Sequence, residues 1–260
     1  MQKSKLTSIV LWIGLFLAVA APGAAFAAQM DEVEARGWIK RSDLVIRGET
    51  QQTLVLLDVK TPDWTRQYEM RFWMRGTDET FARVTAPARV KGQGYLKIKD
   101  RLWQYLPSAE RTVLIPPSLM LEDFMGSDFS NDDFVKMSYL VRDYTHKYLK
   151  SESVSGHPCH VFELLPKPDA AVVYGKLVNW VREKDAAPVR IEFYDDAMKH
   201  IRTLDYSDFK MFSDREYPTV WRMTDHVDAG HESVITVREA SFNQPVDPEI
   251  FTSKNLENPR

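Results

Sequence analysis

The chain has 260 residues, of which 44% are hydrophobic and 27% are charged, and its formal net charge is -3. This composition is typical of a globular protein and excludes a disordered or fibrous chain. The slight acidic excess argues against a nucleic-acid-binding protein, which usually has a basic excess. Because Cys159 is the single cysteine, an internal disulfide is excluded.

The N-terminal segment has the pattern of a secretory signal peptide. Two lysines precede the apolar run Ile9–Ala20, and Ala25–Ala27 supplies small residues at the spacing that signal peptidase recognises. The apolar run is shorter than the roughly 20 residues that a membrane-spanning helix needs. We therefore expect cleavage after residues 1–27 and a mature single domain, residues 28–260, in an oxidising compartment such as the bacterial periplasm.

A helix and then a series of strands are predicted next. In Asp31–Asp43 apolar residues fall near one side of a helix, with acidic residues first and basic residues last, as the helix dipole favours. From Leu54 onward, apolar and polar residues alternate between short polar links, which is typical of antiparallel hairpins. The alternation is clearest in Tyr68–Arg75. The strand candidates are Leu54–Lys60, Gln67–Arg75, Phe81–Pro87, Gly94–Lys99, Leu102–Pro107 and Arg111–Ile115.

The segment Pro116–Phe134 interrupts the strands. Its apolar residues have helical spacing between Pro117 and Gly126, which predicts a short helix. Ser130–Phe134 has the pattern of a second cap and turn. Strands resume near Tyr144, and the further candidates are His160–Pro166, Lys176–Glu183, Pro188–Asp195, His200–Phe212, Thr219–Val227 and Ser233–Phe242.

About a dozen strands and a few short helices predict a mainly β protein. One strongly curved antiparallel sheet, a barrel or half-barrel, would protect the edges that a long flat sheet leaves exposed. We therefore expect a single curved sheet covered by a few short helices.

The best sequence candidate for catalysis is the acidic group Asp128, Asp132 and Asp133. Paired carboxylates carry out acid–base chemistry in glycoside hydrolases. Acidic residues at a helix start also serve as caps, which is the more common role. A calcium loop is disfavoured because its central glycine and distal glutamate are missing.

A second group of chemically reactive residues surrounds Cys159. The segment His157–His160, with His226 and His231, contains residue types that bind zinc, but the paired-cysteine spacing of a zinc site is missing. We interpret these residues as strand residues and expect neither a metal site nor a cofactor.

Large apolar residues supply the positive signal for a binding site. Methionine and aromatic side chains often line adaptable apolar cavities, although an ordinary core uses the same residues. The candidate cavity residues are Tyr68, Met70, Phe72, Met74, Leu96, Ile98, Trp103, Tyr105, Leu119, Met120, Phe124 and Met125.

The segment DRLWQYLPSAERT, Asp100–Thr112, resembles a hairpin of the periplasmic outer-membrane lipoprotein-sorting family, the LolA-like proteins. In that family an aromatic-rich strand with the pattern W-x-Y-x-P precedes a polar turn and a short helix, and here these positions are Trp103, Tyr105 and Pro107. The resemblance covers roughly residues 31–257. Further similar segments are MGSDFSNDDF, PVRIEFYDDAMKHIRTLDYSDF and the ending NQPVDPEIFTSKNLE.

The resemblance implies an incomplete β-barrel whose apolar cavity holds the acyl chain of a lipid or lipidated protein and moves it towards the outer membrane without catalysis. It also implies a helical lid, Pro116–Gly126, and a partner among inner-membrane exporters of the resistance-nodulation-division type. The region Lys136–Lys176 has no counterpart in the classical carriers. Two alternatives stay open: a hydrolase that uses the three aspartates, and a filled-barrel scaffold of a membrane exporter.

Overall fold

The computed structural model describes residues 30–136 and 139–258. The predicted signal peptide, residues 1–27, lies outside the described residues. Within these two ranges, no helix is both long and apolar enough to cross a membrane. The α-helices are α1 Glu32–Arg47, α2 Asn131–Lys136, α3 Leu140–Asp143 and α4 Ser253–Glu257.

A side-chain cap at Asp31 begins helix α1, and a glycine, Gly48, ends it. The Asp31 carboxylate accepts a hydrogen bond from the Glu34 backbone N–H at 2.8 Å, which caps the first turn. The helix ends at Gly48, whose φ is 61°, and a Cβ at this position would lie 2.7 Å from Asn243 Oδ1. Glycine therefore fits both the left-handed conformation and the close approach. The helix is one turn longer than the predicted Asp31–Asp43.

The strands of the described residues form one antiparallel sheet of 13 strands. The spatial order is β6-β5-β4-β3-β2-β1-β13-β12-β11-β10-β9-β8-β7, so β6 and β7 are the two edges and the sheet is not closed. This confirms the predicted mainly β fold with an open, curved, barrel-like sheet. The strands are β1 Thr50–Lys60, β2 Thr65–Arg75, β3 Glu79–Ala86, β4 Gly94–Ile98, β5 Arg101–Leu106, β6 Arg111–Leu114, β7 Tyr144–Val154, β8 His157–Pro166, β9 Lys176–Arg182, β10 Pro188–Tyr194, β11 His200–Phe212, β12 Arg215–Asp225 and β13 Glu232–Phe242.

The register of strands β2 to β5 separates two apolar faces. On the inner face, Phe72 lies opposite Ala82, and Ala82 lies opposite Tyr95. These residues belong to the main core, which α1 covers. The next residue along each strand points to the outer face, because strand side chains alternate. The outer row consists of Trp73, Phe81, Leu96 and Trp103.

The C-terminal segment Val246–Leu256 covers the outer face and forms a second core cluster with it. Phe251 is 6% exposed and Leu256 is fully buried. Arg83 fixes this segment to the sheet, because its guanidinium donates hydrogen bonds to the carbonyl oxygens of Leu256 at 2.9 Å and Asn255 at 2.6 Å. Strands β3 to β5 are therefore apolar on both faces.

The variant Leu256→Ala is expected to lower the free energy of unfolding by about 2–5 kcal/mol, because it leaves a cavity beneath the C-terminal segment. Urea denaturation measures this loss. The control Leu114→Ala removes a side chain that is 50% exposed, and its effect should stay within about 0.5 kcal/mol. Equal effects of the two variants would contradict a structural role for the outer-face cluster.

The segment Pro116–Phe134, here called the cover segment, does not contain the short helix that was predicted between Pro117 and Gly126. It forms two 3-10 turns, Pro117–Leu119 and Phe124–Gly126. Met125 has a φ of 59° and Gly126 a φ of 75°, so the right-handed helix cannot continue through them. The backbone hydrogen bonds instead cross the loop, with the Phe124 N–H donating to the Phe129 carbonyl at 2.7 Å.

Candidate functional site

A largely apolar cavity lies between the inner face of the sheet, helix α1 and the cover segment. Its volume is about 190 Å³. An apolar cavity of about 150 Å³ stays dry and binds a benzene-sized guest. The cavity of this protein therefore has room for a small apolar group. The apolar residues that the sheet contributes include Val55, Leu57, Met70, Phe72, Met74, Ile191, Ile235 and Val237.

Three phenylalanines of the cover segment close one side of the cavity: Phe124, Phe129 and Phe134. The rings of Phe124 and Phe134 are stacked, with centroids 5.1 Å apart. Phe72 on strand β2 lies 5.8 Å from the Phe134 ring, and Tyr95 on strand β4 lies 4.7 Å from the Phe124 ring. The cover segment thus contacts the inner face mainly through aromatic rings.

The acidic residues of the cover segment attach it to the rest of the protein. Asp133 and Ser130 form a reciprocal cap, in which the Asp133 N–H donates to Ser130 Oγ at 3.1 Å and the Ser130 N–H donates to Asp133 Oδ2 at 2.8 Å. The Tyr174 hydroxyl donates to the other Asp133 oxygen at 2.8 Å. The Ser233 hydroxyl donates to Asp128 Oδ2 at 2.6 Å. The contacts of Asp133 with Ser130 match the capping interpretation, whereas Asp128 bonds to a strand residue, Ser233.

Burial raises the pKa of both Asp128 and Asp133. A raised carboxyl pKa is also what the hydrolase interpretation requires. However, Asp128 is bound to Ser233, whereas Asp133 is bound to Ser130 and Tyr174. The two carboxylates therefore have separate structural partners and do not form a shared acid–base pair.

Helix α1 adds an ion pair to the apolar wall. Arg47 Nε lies 2.7 Å from Asp43 Oδ2, and the two side chains are 10% and 9% exposed. Arg47 also donates to the Gly48 carbonyl at 3.0 Å. Burial raises the pKa of Asp43 to about 6, and the opposing charge of Arg47 limits this rise. The neighbouring Gln51 amide donates to the Ile46 carbonyl at 2.8 Å, so this polar end of the cavity is bonded within the protein.

Two other polar atoms of the cavity wall, on Thr80 and Asn179, lack the hydrogen bonds that Asp43, Arg47 and Gln51 make. Thr80 is 3% exposed and Asn179 is 4% exposed, and both residues line the cavity. Among the described residues, neither Thr80 Oγ1 nor Asn179 Oδ1 has a hydrogen-bond partner. Buried polar atoms are nearly always bonded in native proteins, so these two require an explanation.

The structure places the predicted cavity residues in three environments. Met70, Phe72, Met74 and Phe124 line the cavity. Tyr68 and Met120 are buried in the surrounding core, Met125 packs against that core, and Leu119 is 43% exposed. Leu96, Ile98, Trp103 and Tyr105 lie in the outer-face cluster, away from the cavity, because they point to the side of the sheet that the C-terminal segment covers. Ligand contact by any of these residues stays a prediction.

The structure gives the His157–His160 segment ordinary strand surroundings. Cys159 is fully buried, and burial raises the pKa of its thiol to about 11. His160 lies 2.8 Å from the Ser151 hydroxyl and packs edge-on against Trp38. Within residues 30–136 and 139–258, no group of three or more His, Cys, Asp or Glu residues is placed to hold a metal ion.

Sequence reasoning named one polar residue of the cavity wall, Asp133, but missed others. Asp43 and Arg47 had a usable signal, since they form an i,i+4 pair next to the apolar positions of α1. Asn179 also had one, as the single polar residue within the buried run Leu177–Val181. Thr80 had no such signal, because a threonine in a strand is common.

The open sheet of this chain superposes on solved structures of one class. A domain from Vibrio parahaemolyticus that is assigned to outer membrane lipoprotein sorting gives a TM-score of 0.77 at 21% identity, covering 88% of this chain and 100% of that one. A LolA superfamily protein from Nitrosomonas europaea gives a TM-score of 0.72 at 23% identity, covering 85% of this chain and 98% of that one. The protein therefore has the LolA-like fold that the sequence resemblance implied.

The particular family follows from a further match. A family model described as "Uncharacterized protein" matches residues 76–258, which is more than half of the chain, and the chain belongs to that family. A DUF1329 family protein from Desulfovibrio piger gives a TM-score of 0.80 at 21% identity, covering 87% of this chain and 100% of that one. No curated protein matches the chain.

Proposed function

We propose that the protein is a periplasmic carrier that binds an acyl chain of a lipid or lipoprotein in the cavity and moves it towards the outer membrane without catalysis. The observation that carries this proposal is the apolar cavity of about 190 Å³ beneath the cover segment. A filled-barrel scaffold predicts a tightly packed core instead. Residues 28–260 would act as one binding domain, delivered by the signal-peptide pattern at residues 1–27.

The energetics of acyl-chain binding fit this role. Each CH₂ group that leaves water contributes about 0.8 kcal/mol, so a chain of ten such groups gains about 8 kcal/mol before the cost of ordering. A complete acyl chain needs more room than the cavity of about 190 Å³ offers, so we expect the cover segment to move when a chain binds. Its aromatic contacts and its few polar attachments at Asp128 and Asp133 are suited to a lid that opens as a unit.

The arrangement of the carboxylates favours a carrier over a hydrolase. Asp128 and Asp133 each bond to separate side chains of the protein, whereas acid–base catalysis needs groups that converge on a substrate. Partners in this role would be a lipid or lipidated protein and, transiently, a membrane. An inner-membrane exporter as partner stays a prediction that no feature of the described residues supports.

Purification of the mature protein from periplasm without detergent tests the proposal. Native mass spectrometry followed by lipid extraction should reveal copurified lipid or lipidated peptide in nearly stoichiometric amount. A mass without ligand, together with no uptake of an added fluorescent fatty acid, would show that the cavity is not a carrier site. Crosslinking in cells would then test the scaffold alternative.

A further inference from the structure

We infer that the ligand of the cavity carries a hydroxyl or amide N–H group along with its apolar chain, and that Asn179 or Thr80 receives this group. The inference rests on the proposed carrier function and narrows its ligand class. It separates amphiphiles that donate a hydrogen bond inside the cavity from plain hydrocarbon chains, ethers and simple esters.

The first observation is that both polar atoms lack a partner in the described part of the chain. Asn179 Oδ1 and Thr80 Oγ1 are buried and unbonded, and both residues lie in the cavity wall. An unbonded buried polar atom destabilises a folded protein, so each of these atoms calls for a partner, either a ligand or an ordered water. By contrast, the nearby Arg47 and Gln51 side chains bond within the protein.

The chemistry of the two atoms specifies what the ligand must offer. A side-chain amide oxygen only accepts hydrogen bonds, so Asn179 Oδ1 requires a donor. The Thr80 hydroxyl can donate or accept. A ligand hydroxyl satisfies either atom, and an amide N–H satisfies Asn179, whereas an ether oxygen or an alkyl chain leaves Asn179 unbonded.

The residues around Asn179 and Thr80 affect how strongly the cavity distinguishes a ligand that donates a hydrogen bond from one that does not. Asn179 lies directly opposite Ile191 on strand β10, and this neighbour also lines the cavity. Thr80 lies between Met74 on strand β2, which lines the cavity, and the buried Lys97 on strand β4. The apolar surroundings therefore apply chiefly to Asn179. A hydrogen bond among apolar neighbours is stronger than one in water, and its loss is correspondingly costly. Ordered water is the competing partner for the two atoms, since the cavity is large enough to hold a water molecule beside each of them.

Competition binding with two ligands of equal size tests the inference. Diphenylhexatriene, a fluorescent hydrocarbon, serves as the bound probe, and 1-dodecanol or methyl undecyl ether displaces it. The wild-type protein should bind the alcohol about tenfold more tightly than the ether, as expected for one buried hydrogen bond. The variant Asn179→Leu should lose most of this preference for the alcohol. Adding Thr80→Val to that variant should reduce the remaining preference further.

The variant Ile191→Val is the matched control, because Ile191 lines the cavity opposite Asn179 and has no polar group. It should weaken alcohol and ether binding alike and keep their ratio. Thermal melting supplies a second readout: replacing an unbonded polar group by an apolar one of similar shape should maintain or raise the Tm. A lower Tm for both Asn179→Leu and Thr80→Val would show that the two atoms are satisfied by water, and would overturn the inference.

The outcomes separate this inference from the proposed function. Equal binding of alcohol and ether by the wild-type protein would overturn the polar site but leave the carrier role intact. Failure of the probe and both ligands to bind at all would instead contradict the carrier role itself.

Discussion

Replacement of Ile235 by tryptophan is expected to abolish lipid binding while the protein stays folded. Ile235 lies on strand β13 in the cavity wall, between Leu57 and Trp221 on the neighbouring strands. It is only partly buried, so a larger side chain extends into the cavity rather than into packed core. Affinity for a fluorescent fatty acid should fall at least about 100-fold, which corresponds to about 2.7 kcal/mol.

The neighbouring residue supplies the control for this substitution. Thr236 points to the opposite face of the sheet, because successive strand residues alternate. Thr236→Trp should therefore leave fatty-acid affinity nearly unchanged. Overpacking at Ile235 should cost about 1–3 kcal/mol of stability, which a urea titration measures. Unchanged lipid binding by a folded Ile235→Trp protein would show that the ligand site lies elsewhere.

The strands were predictable from sequence because a sheet that covers a core imposes a period of two. In strand β2 the predicted inward residues Tyr68 and Met70 are 4% and 1% exposed. The fold class followed from the number of such strands and the short links between them. The pairing of β1 with β13, which brings distant parts of the chain together, had no local signal.

The face of strands β4 and β5 that lines the cavity was not predictable from alternation. Leu96 and Trp103 lie opposite each other on the outer face, whereas sequence reasoning counted them among the candidate cavity residues. The two faces are both apolar because Phe251 and Leu256, about 150 residues away along the chain, cover the outer one. Period two cannot distinguish the faces when each is buried by a different element.

The contribution of distant strands to the cavity was equally beyond sequence reasoning. Thr80 and Asn179 belong to strands β3 and β9, which lie far apart in the order of the sheet. They line one cavity only because the sheet curves around α1 and the cover segment. Within the described residues, Thr80 Oγ1 and Asn179 Oδ1 have no hydrogen-bond partner. This depends on how the strands assemble into the cavity wall, so no residue spacing along the chain could predict it.

The variant Arg47→Met is expected to lower the free energy of unfolding by about 3–5 kcal/mol at pH 7, because it leaves the Asp43 carboxylate buried without its partner. Burial already raises the pKa of Asp43 to about 6, and Arg47 opposes this rise. Loss of Arg47 should raise that pKa further. Urea denaturation at several pH values measures the effect.

The pH dependence of this loss has a defined sign. The folded-state pKa of Asp43 lies above the pKa of about 3.9 of an unfolded aspartate, so its protonation favours the folded state. This stabilisation is complete below about pH 4 and is lost as the pH rises through the folded-state pKa. The free energy of unfolding of the Arg47→Met protein should therefore approach that of the wild-type protein as the pH falls towards 6.

The double variant Asp43→Leu/Arg47→Met shows whether the ion pair serves folding. Replacement of a buried ion pair by apolar residues is often neutral or stabilising by about 1–4 kcal/mol, so this variant should be at least as stable as the wild-type protein. Lys40→Met, an exposed substitution on the same helix, should change stability by less than about 0.5 kcal/mol. A double variant as unstable as Arg47→Met would contradict this account. If the double variant is stable but binds lipid less tightly, the pair serves the cavity and its ligand rather than the fold.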